Sequence, residues 1–280
     1  MLTFWPKKIV GIIGYGNMGS AIAERIKTKY QVLVFDKDAE KTRNLKNVKV
    51  FDNILDLAEK ADILILAVKP QDFDTLLKDI KENIDNKLII SIAAGISTRY
   101  IENILGTARV IRVMPNIGAI AGKATSCLCK GNLASMKDLK FSERLFRGIG
   151  KTSIISEDKM PVATAVSGSG PGFYADKRES NSEDYNRNPQ KFLKDFIVSL
   201  ARGGEKEGLT KKEAEFLAST TGVASEYLIV KIKIPPLKLK QQVASKGGTT
   251  EAGLAVLHSG GSVEDAVKAA KAQAEKLSKG

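Results

Sequence analysis

Ile9-Val10-Gly11-Ile12-Ile13-Gly14-Tyr15-Gly16-Asn17-Met18-Gly19 is the stretch that decides the fold. An apolar run stops at a glycine-rich turn, and a pattern of helical period begins on the other side. In that context Gly14, Gly16 and Gly19 form a Gly-x-Gly-x-x-Gly phosphate turn. Gly14 permits the tight bend, Gly16 lets a pyrophosphate approach the main chain, and Gly19 lets helix and strand pack closely. The helix start aims its unpaired N–H groups at the phosphate. Asp36 lies 22 residues beyond Gly14, at the end of the next apolar run, Val32-Leu33-Val34-Phe35. A carboxylate there can bond the ribose hydroxyls of the adenosine half. Dinucleotide binding is the expectation; the plainer alternative is a glycine-rich turn in an ordinary α/β protein.

Outward from this turn, short apolar runs at 8–13, 31–35, 48–51, 62–68, 87–92 and 109–113 read as strands. Amphipathic stretches such as 18–29, 72–83 and 98–105 lie between them. Alternating strand and helix predicts a parallel sheet with helices on its faces, which binds ligands beyond the carboxyl ends of its strands. Three of those ends read Ala67-Val68-Lys69-Pro70, Ala93-Ala94-Gly95 and Val113-Met114-Pro115-Asn116. The small residues there leave room for a flat ring or a ribose. Runs at 125–129 and 151–155, around a helical stretch at 137–147, read as the last strands. Beyond about 159 only helical patterns remain, at 192–207, 211–231, 237–244, 250–258 and 263–277. The sequence therefore predicts an α/β chain: a Rossmann-type N-terminal domain over 1–156 with a parallel-rich sheet, then an all-α domain over 157–280. The helix at 211–231 is apolar on several sides, which calls for burial against a partner subunit. One stretch breaks the order. Residues 175–191, ADKRESNSEDYNRNPQK, hold almost nothing apolar and are expected to be a loop or disordered.

Composition excludes other classes. With 43% hydrophobic and 27% charged residues the chain is of the soluble globular type. It has no apolar stretch of transmembrane length, and residues 1–8 lack the apolar segment of a secretory leader, so a cytoplasmic protein is expected. Cys127 and Cys129 fall two apart in one strand without a metal-binding cluster, and read as packed thiols. A net charge of +12 implies a solvated surface or attraction of small anions. The lysines are scattered and no nucleic-acid motif appears, so neither nucleic acid nor membrane is an expected partner. The single histidine, His258, sits on a helix with no evident partner and reads as structural.

A second motif, Ser245-Lys246-Gly247-Gly248-Thr249-Thr250, immediately precedes a helical stretch. Glycines let several N–H groups converge, the helix adds its dipole, and the threonines add hydroxyl donors. That is the chemistry of an anion site; the plainer reading is a helix cap with a flexible approach. Upstream, Ser167-Gly168-Ser169-Gly170-Pro171 also opens a helix.

With these residues the chain resembles the pyrroline-5-carboxylate reductase family. The matching pieces run in order: the dinucleotide turn, Asn53, Ala67-Val68-Lys69-Pro70-Gln71, Ser91-Ile92-Ala93-Ala94-Gly95, Arg112-Val113-Met114-Pro115-Asn116, the 167–171 segment, Gly247-Gly248-Thr249-Thr250 with Gly253-Leu254, and Gly260-Gly261. The resemblance implies helical domains interleaved in a homodimer or a larger homo-oligomer. It implies hydride transfer from NADPH or NADH to a cyclic imine, 1-pyrroline-5-carboxylate, giving L-proline in the final step of proline biosynthesis. It assigns Ile13, Gly14, Tyr15, Gly16, Asn17, Met18 and Gly19 to the pyrophosphate, and Asp36 to the adenosine ribose. Asn53, Ala67, Val68, Lys69 and Pro70 fall on the ribose and nicotinamide side, and Ala93, Ala94 and Gly95 flank the nicotinamide. Ser245 with the main chain of Gly247, Gly248 and Thr249 would grip the substrate carboxylate. Thr250 would reach the ring nitrogen as the catalytic residue, and Glu157 matches an acid near the substrate. The protonated imine is already electrophilic, so no acid–base dyad is required.

Three departures from the family stand out: Lys246 in place of proline, Gly172 in place of alanine, and 175–191 as an insertion at the start of the first helix of the helical domain. Cofactor choice stays open: Asp36 favours NADH, while Lys37, Lys41 and Arg43 are available to a 2′-phosphate. Two other readings are kept. One is a two-domain dehydrogenase acting on a hydroxyacid, which needs a lysine or histidine acid–base group on the helical domain. The other is a non-catalytic dinucleotide-binding protein in which 175–191 blocks the site or recruits a partner.

Overall fold

The computed structural model describes residues 8–278, so the reading of a missing leader falls on residues, 1–7, outside the described ones. The described chain divides into two compact units, 8–113 with 128–149, and 114–127 with 150–278.

In the first unit, runs rich in Val, Ile and Leu form β1 (Ile9–Ile13), β2 (Gln31–Phe35), β3 (Lys49–Val50), β4 (Ile63–Leu66), β5 (Leu88–Ser91) and β6 (Arg109–Met114). Most of their residues are buried on both faces, which is why they read as continuous apolar runs. They pair in parallel, with Ile13 level with Phe35 on one side and Leu66 on the other. The strand order is β3-β2-β1-β4-β5-β6, continued by β7 (Ala124–Lys130) and β8 (Gly150–Ile154). The chain reverses its direction of winding between β1 and β4, so a ligand crevice is expected beyond the ends of those two strands. The crossovers are α1 (Asn17–Ile26), α2 (Ile54–Lys60), α3 (Phe73–Ile80) and α4 (Thr98–Leu105), with α5 (Met136–Phe146) following β7. Phe73, Leu77, Ile80 and Ile101 are fully buried with Leu57, Leu64 and Ile89 in one core. The expected helix at 72–83 is shorter than read, because 70–72 and 81–83 wind as tighter 3₁₀ turns.

The second unit carries α6 (Met160–Ala163), α7 (Gly170–Ser180), α8 (Ser182–Arg187), α9 (Pro189–Lys206), α10 (Lys211–Val230), α11 (Pro236–Val243), α12 (Thr249–His258) and α13 (Val263–Lys276). Here the structure corrects the sequence. Residues 175–191 are not a loop: they complete α7, form α8 and start α9. Counting apolar residues misled, because the polar ones find partners on other helices. The buried Asp176 carboxylate lies 2.9 Å from both Lys240 Nζ and His258 Nε2. Lys240 also reaches Glu179 at 2.8 Å. Tyr174 and Tyr185 each donate to the Glu226 carboxylate at 2.7 Å, and both rings meet Phe192 edge-on. A satisfied polar network stabilises a helix that its own composition would not. His258, expected to lack a partner, has one in Asp176. The cysteines are buried thiols outside any disulfide, as expected, and burial pushes the Cys127 thiol up to about 12, which keeps it unreactive.

Candidate active site

The phosphate turn is shaped by three close approaches. Gly14 has φ +100°, and a Cβ there would lie 2.6 Å from the Ala67 carbonyl oxygen. Its N–H donates to the Phe35 carbonyl at 2.8 Å. A Cβ on Gly19 would collide with the Gly14 carbonyl oxygen and press on the Ala67 methyl. Gly16 differs: a Cβ there would meet nothing within 4 Å. Its side is open, as the expected approach of a pyrophosphate requires. Gly16 caps α1 without a side chain, and the first bond inside the helix runs from Ser20 N–H to the Gly16 carbonyl at 2.9 Å. The N–H groups of Asn17, Met18 and Gly19 thus have no acceptor within their own helix. These residues fit a pyrophosphate.

The other positions expected to meet a cofactor follow the carboxyl ends of β1 to β5. Ile13 is buried, and its carbonyl accepts from Ala67 N–H at 2.8 Å. The Tyr15 N–H donates to Asp36 Oδ2 at 2.7 Å, and the Asp38 N–H donates to Asp36 Oδ1 at 2.9 Å. Burial opposes the charge on Asp36, yet the two amides and nearby Lys41 overcome it and hold the carboxyl below its ordinary value. Asn53 is exposed and caps α2, its Oδ1 accepting from Leu55 N–H at 2.8 Å. Ala67, Val68 and Pro70 are half-buried and Lys69 exposed. Ala93 is buried, Ala94 exposed, and Gly95 turns the chain at φ +72°.

The late turn belongs to the second unit. Gly247 has φ +70°, and the Gly248 N–H donates to the Ser245 carbonyl at 2.9 Å. The Gly247 N–H donates to the Glu251 carboxylate at 2.6 Å, and its carbonyl accepts from Gln273 Nε2 at 2.7 Å. Gly248 caps α12 without a side chain, and the first bond inside the helix runs from Ala252 N–H to the Gly248 carbonyl at 3.2 Å. That leaves the Thr249, Thr250 and Glu251 amides as the donors at the helix mouth. Thr249 Oγ1 pairs with Ser169 Oγ at 2.9 Å, which ties the 167–171 segment to the same place. Thr250 is 3% exposed. Helices α7 and α12 meet through two glycines. A Cβ on Gly172 would lie 2.6 Å from Thr250 Cγ2, and one on Gly253 would enter the Phe173 ring. Ser245 and Lys246 are exposed, and Glu157 is half-buried in the 157–159 turn. The sequence reading missed Glu251 and Gln273. An acid at the third helical position was a readable capping signal; the Gln273 contact, from 26 residues away, was not.

Comparison with known proteins finds two family models in the chain. Residues 9–95 match the family model described as NADP oxidoreductase coenzyme F420-dependent, and residues 192–279 match pyrroline-5-carboxylate reductase dimerisation. A pyrroline-5-carboxylate reductase of Methanosarcina acetivorans is 32% identical over 262 residues, covering 90% of each chain. One from Synechocystis sp. is 30% identical, covering 96% of this chain and 98% of that one. The crystal structure of the Plasmodium falciparum pyrroline carboxylate reductase with NADP bound superposes with a TM-score of 0.61 at 27% identity, covering 98% of this chain and 99% of that one.

Proposed function

The chain belongs to the pyrroline-5-carboxylate reductase family, and from that premise we propose how its own residues divide the work. It is an NAD(P)H-dependent oxidoreductase that reduces 1-pyrroline-5-carboxylate to L-proline, the final step of proline biosynthesis. The bound nicotinamide supplies the hydride. Residues 1–156 hold that cofactor. Gly14 to Gly19 cradle its pyrophosphate through the open side of Gly16 and the amides that begin α1. Asp36 and Asn53 face the riboses, and Ala67 to Pro70 with Ala93 to Gly95 shape the slot for the flat ring.

Residues 157–280 hold the substrate. The turn of Ser245, Gly247, Gly248 and Thr249, with Glu157 beside it, is the place for the carboxylate, although the Gly247 and Gly248 amides are already given to Glu251 and to the Ser245 carbonyl. The Thr249 and Thr250 amides are the donors the turn leaves open. The Thr250 hydroxyl then orients the imine nitrogen, so that the ring carbon is presented to the hydride. Because the imine is protonated before it accepts the hydride, the chain has only to bind, orient and exclude water. The protein works as a cytoplasmic homodimer. The match to a dimerisation model and the exposure of Val223 and Val230 on α10 support the homodimer. Neither nucleic acid nor membrane has a part in it; among the described residues no helix is long and apolar enough to cross a membrane.

One observation carries the proposal. A single chain combines an anion-accepting glycine turn at the end of β1 with a second amide turn at the mouth of α12, in a sequence matched almost end to end by reductases of this name. The test is oxidation of NAD(P)H in the presence of pyrroline-5-carboxylate. Thr250→Val is expected to lower kcat by about a hundredfold and leave cofactor affinity unchanged. Equal loss of both would show that Thr250 does not orient the imine.

A further inference from the structure

We propose that this chain selects NADH over NADPH, and that Asp36, Asp38, Glu40 and Asp72 make the selection by meeting the cations a 2′-phosphate would need. The selection rests on dinucleotide binding by residues 1–156. A 2′-phosphate is accommodated by cations just after the second strand, whereas a carboxylate at that strand's end bonds the free 2′-hydroxyl. The segment after β2 offers three cations, Lys37, Lys41 and Arg43. Each is engaged. Lys37 Nζ lies 2.8 Å from Asp72 Oδ1, in the turn after β4. Lys41 Nζ lies 3.4 Å from Asp36 and 3.8 Å from Asp38. Arg43 grips both Glu40 oxygens at 3.0 Å. Four carboxylates thus face these three cations, one more than the cations can neutralise.

Exposed ion pairs are individually weak, so the cations are not locked in place. What matters is the charge left over. A phosphate that takes Lys37 or Arg43 leaves Asp72 or Glu40 uncompensated beside it, and the phosphate carries close to two further negative charges. Asp36 adds an obstacle that cannot swing aside. Its side chain is 7% exposed and is held by the amides of Tyr15 and Asp38. To turn away it would surrender both bonds, one of which helps to shape the phosphate turn itself. Its two oxygens have about four acceptor directions, two of them used by those amides, so a ribose hydroxyl can still be received.

The experiment is calorimetric titration of the full chain with NADH and with NADPH, without substrate, so that the readout is binding and not turnover. The wild type is expected to bind NADH at least about tenfold more tightly, the size of one charge-assisted hydrogen bond. The double variant Glu40→Gln, Asp72→Asn changes two surface carboxylates and frees Arg43 and Lys37. It should strengthen NADPH binding by about fivefold or more and leave NADH unchanged. Asp36→Asn should narrow the NADH preference further, with circular dichroism confirming the fold. Equal or tighter NADPH binding by the wild type, or a double variant with an unaltered ratio, overturns the proposal and leaves the reductase reading standing. Binding of neither cofactor removes the dinucleotide reading and this selection with it.

Discussion

Gly172→Ala adds one methyl group at the tightest point beside Thr250. The new carbon would sit 2.6 Å from Thr250 Cγ2 and 3.7 Å from Val243 Cγ1. Carbon atoms prefer about 3.5–4.0 Å, so the threonine or the helix must move by about 1 Å. Thr250 is buried and β-branched, which leaves it few rotamers to escape into. Two energies oppose each other. Alanine in place of glycine within α7 favours the fold by about 0.5–1 kcal/mol. Overpacking a filled site costs about 1–3 kcal/mol. The expected balance is a loss of about 1 kcal/mol, read as a lowered urea midpoint with an unchanged slope. Activity should suffer more than stability, since a displacement of about 1 Å at a positioning group costs on the order of a hundredfold. The assay is kcat/KM for the imine alongside a cofactor titration, which should not change. A variant stabilised by the full helix-propensity gain, with normal turnover, would refute the claim that Gly172 keeps space for Thr250. The family's usual alanine at this place would then fit without penalty.

The remaining predictions concern the first glycine turn and the buried carboxylate of α7. Gly19→Ala drives a methyl into the Gly14 carbonyl, so cofactor binding should fall below detection by calorimetry while α7 to α13 remain helical by circular dichroism. Burial raises the Asp176 pKa, but His258 and Lys240 outweigh it and hold the folded value below the ordinary 3.8. Its stabilising effect is therefore complete above that pH and is lost as pH falls through the lowered value. Asp176→Asn should cost about 1–3 kcal/mol at neutral pH and flatten part of the acid limb of a urea-midpoint profile. An unchanged acid limb would mean that the carboxylate is not paired in the folded protein.

The sheet was legible because strands buried on both faces must be written as unbroken apolar runs. β2 falls at the residues expected, as does α4. The phosphate turn was legible for a related reason: its geometry is local, and only glycine satisfies the crowding at Gly14 and Gly19. What composition alone concealed was the helicity of 175–191. Asp176, Tyr174 and Tyr185 are secured by Lys240, His258 and Glu226, which lie 41 to 82 residues away in the chain. Low hydrophobicity was read as a loop or disorder because those partners lie far off in sequence. The same distance hid the pairing of Gly172 with Thr250. The sequence presented this glycine only as a departure from the family pattern; in space it is the clearance for a buried threonine.

The interlocking of Gly14, Gly19 and Ala67 has a consequence for how a dinucleotide is received. With the bend wedged against the end of β4, the amides at the start of α1 stand in position before any ligand arrives. No segment of that turn has to be ordered on association, so the entropic toll that flexible phosphate loops exact is absent. Encounter should consequently be fast, with differences in affinity between dinucleotides expressed as differences in how long each one stays.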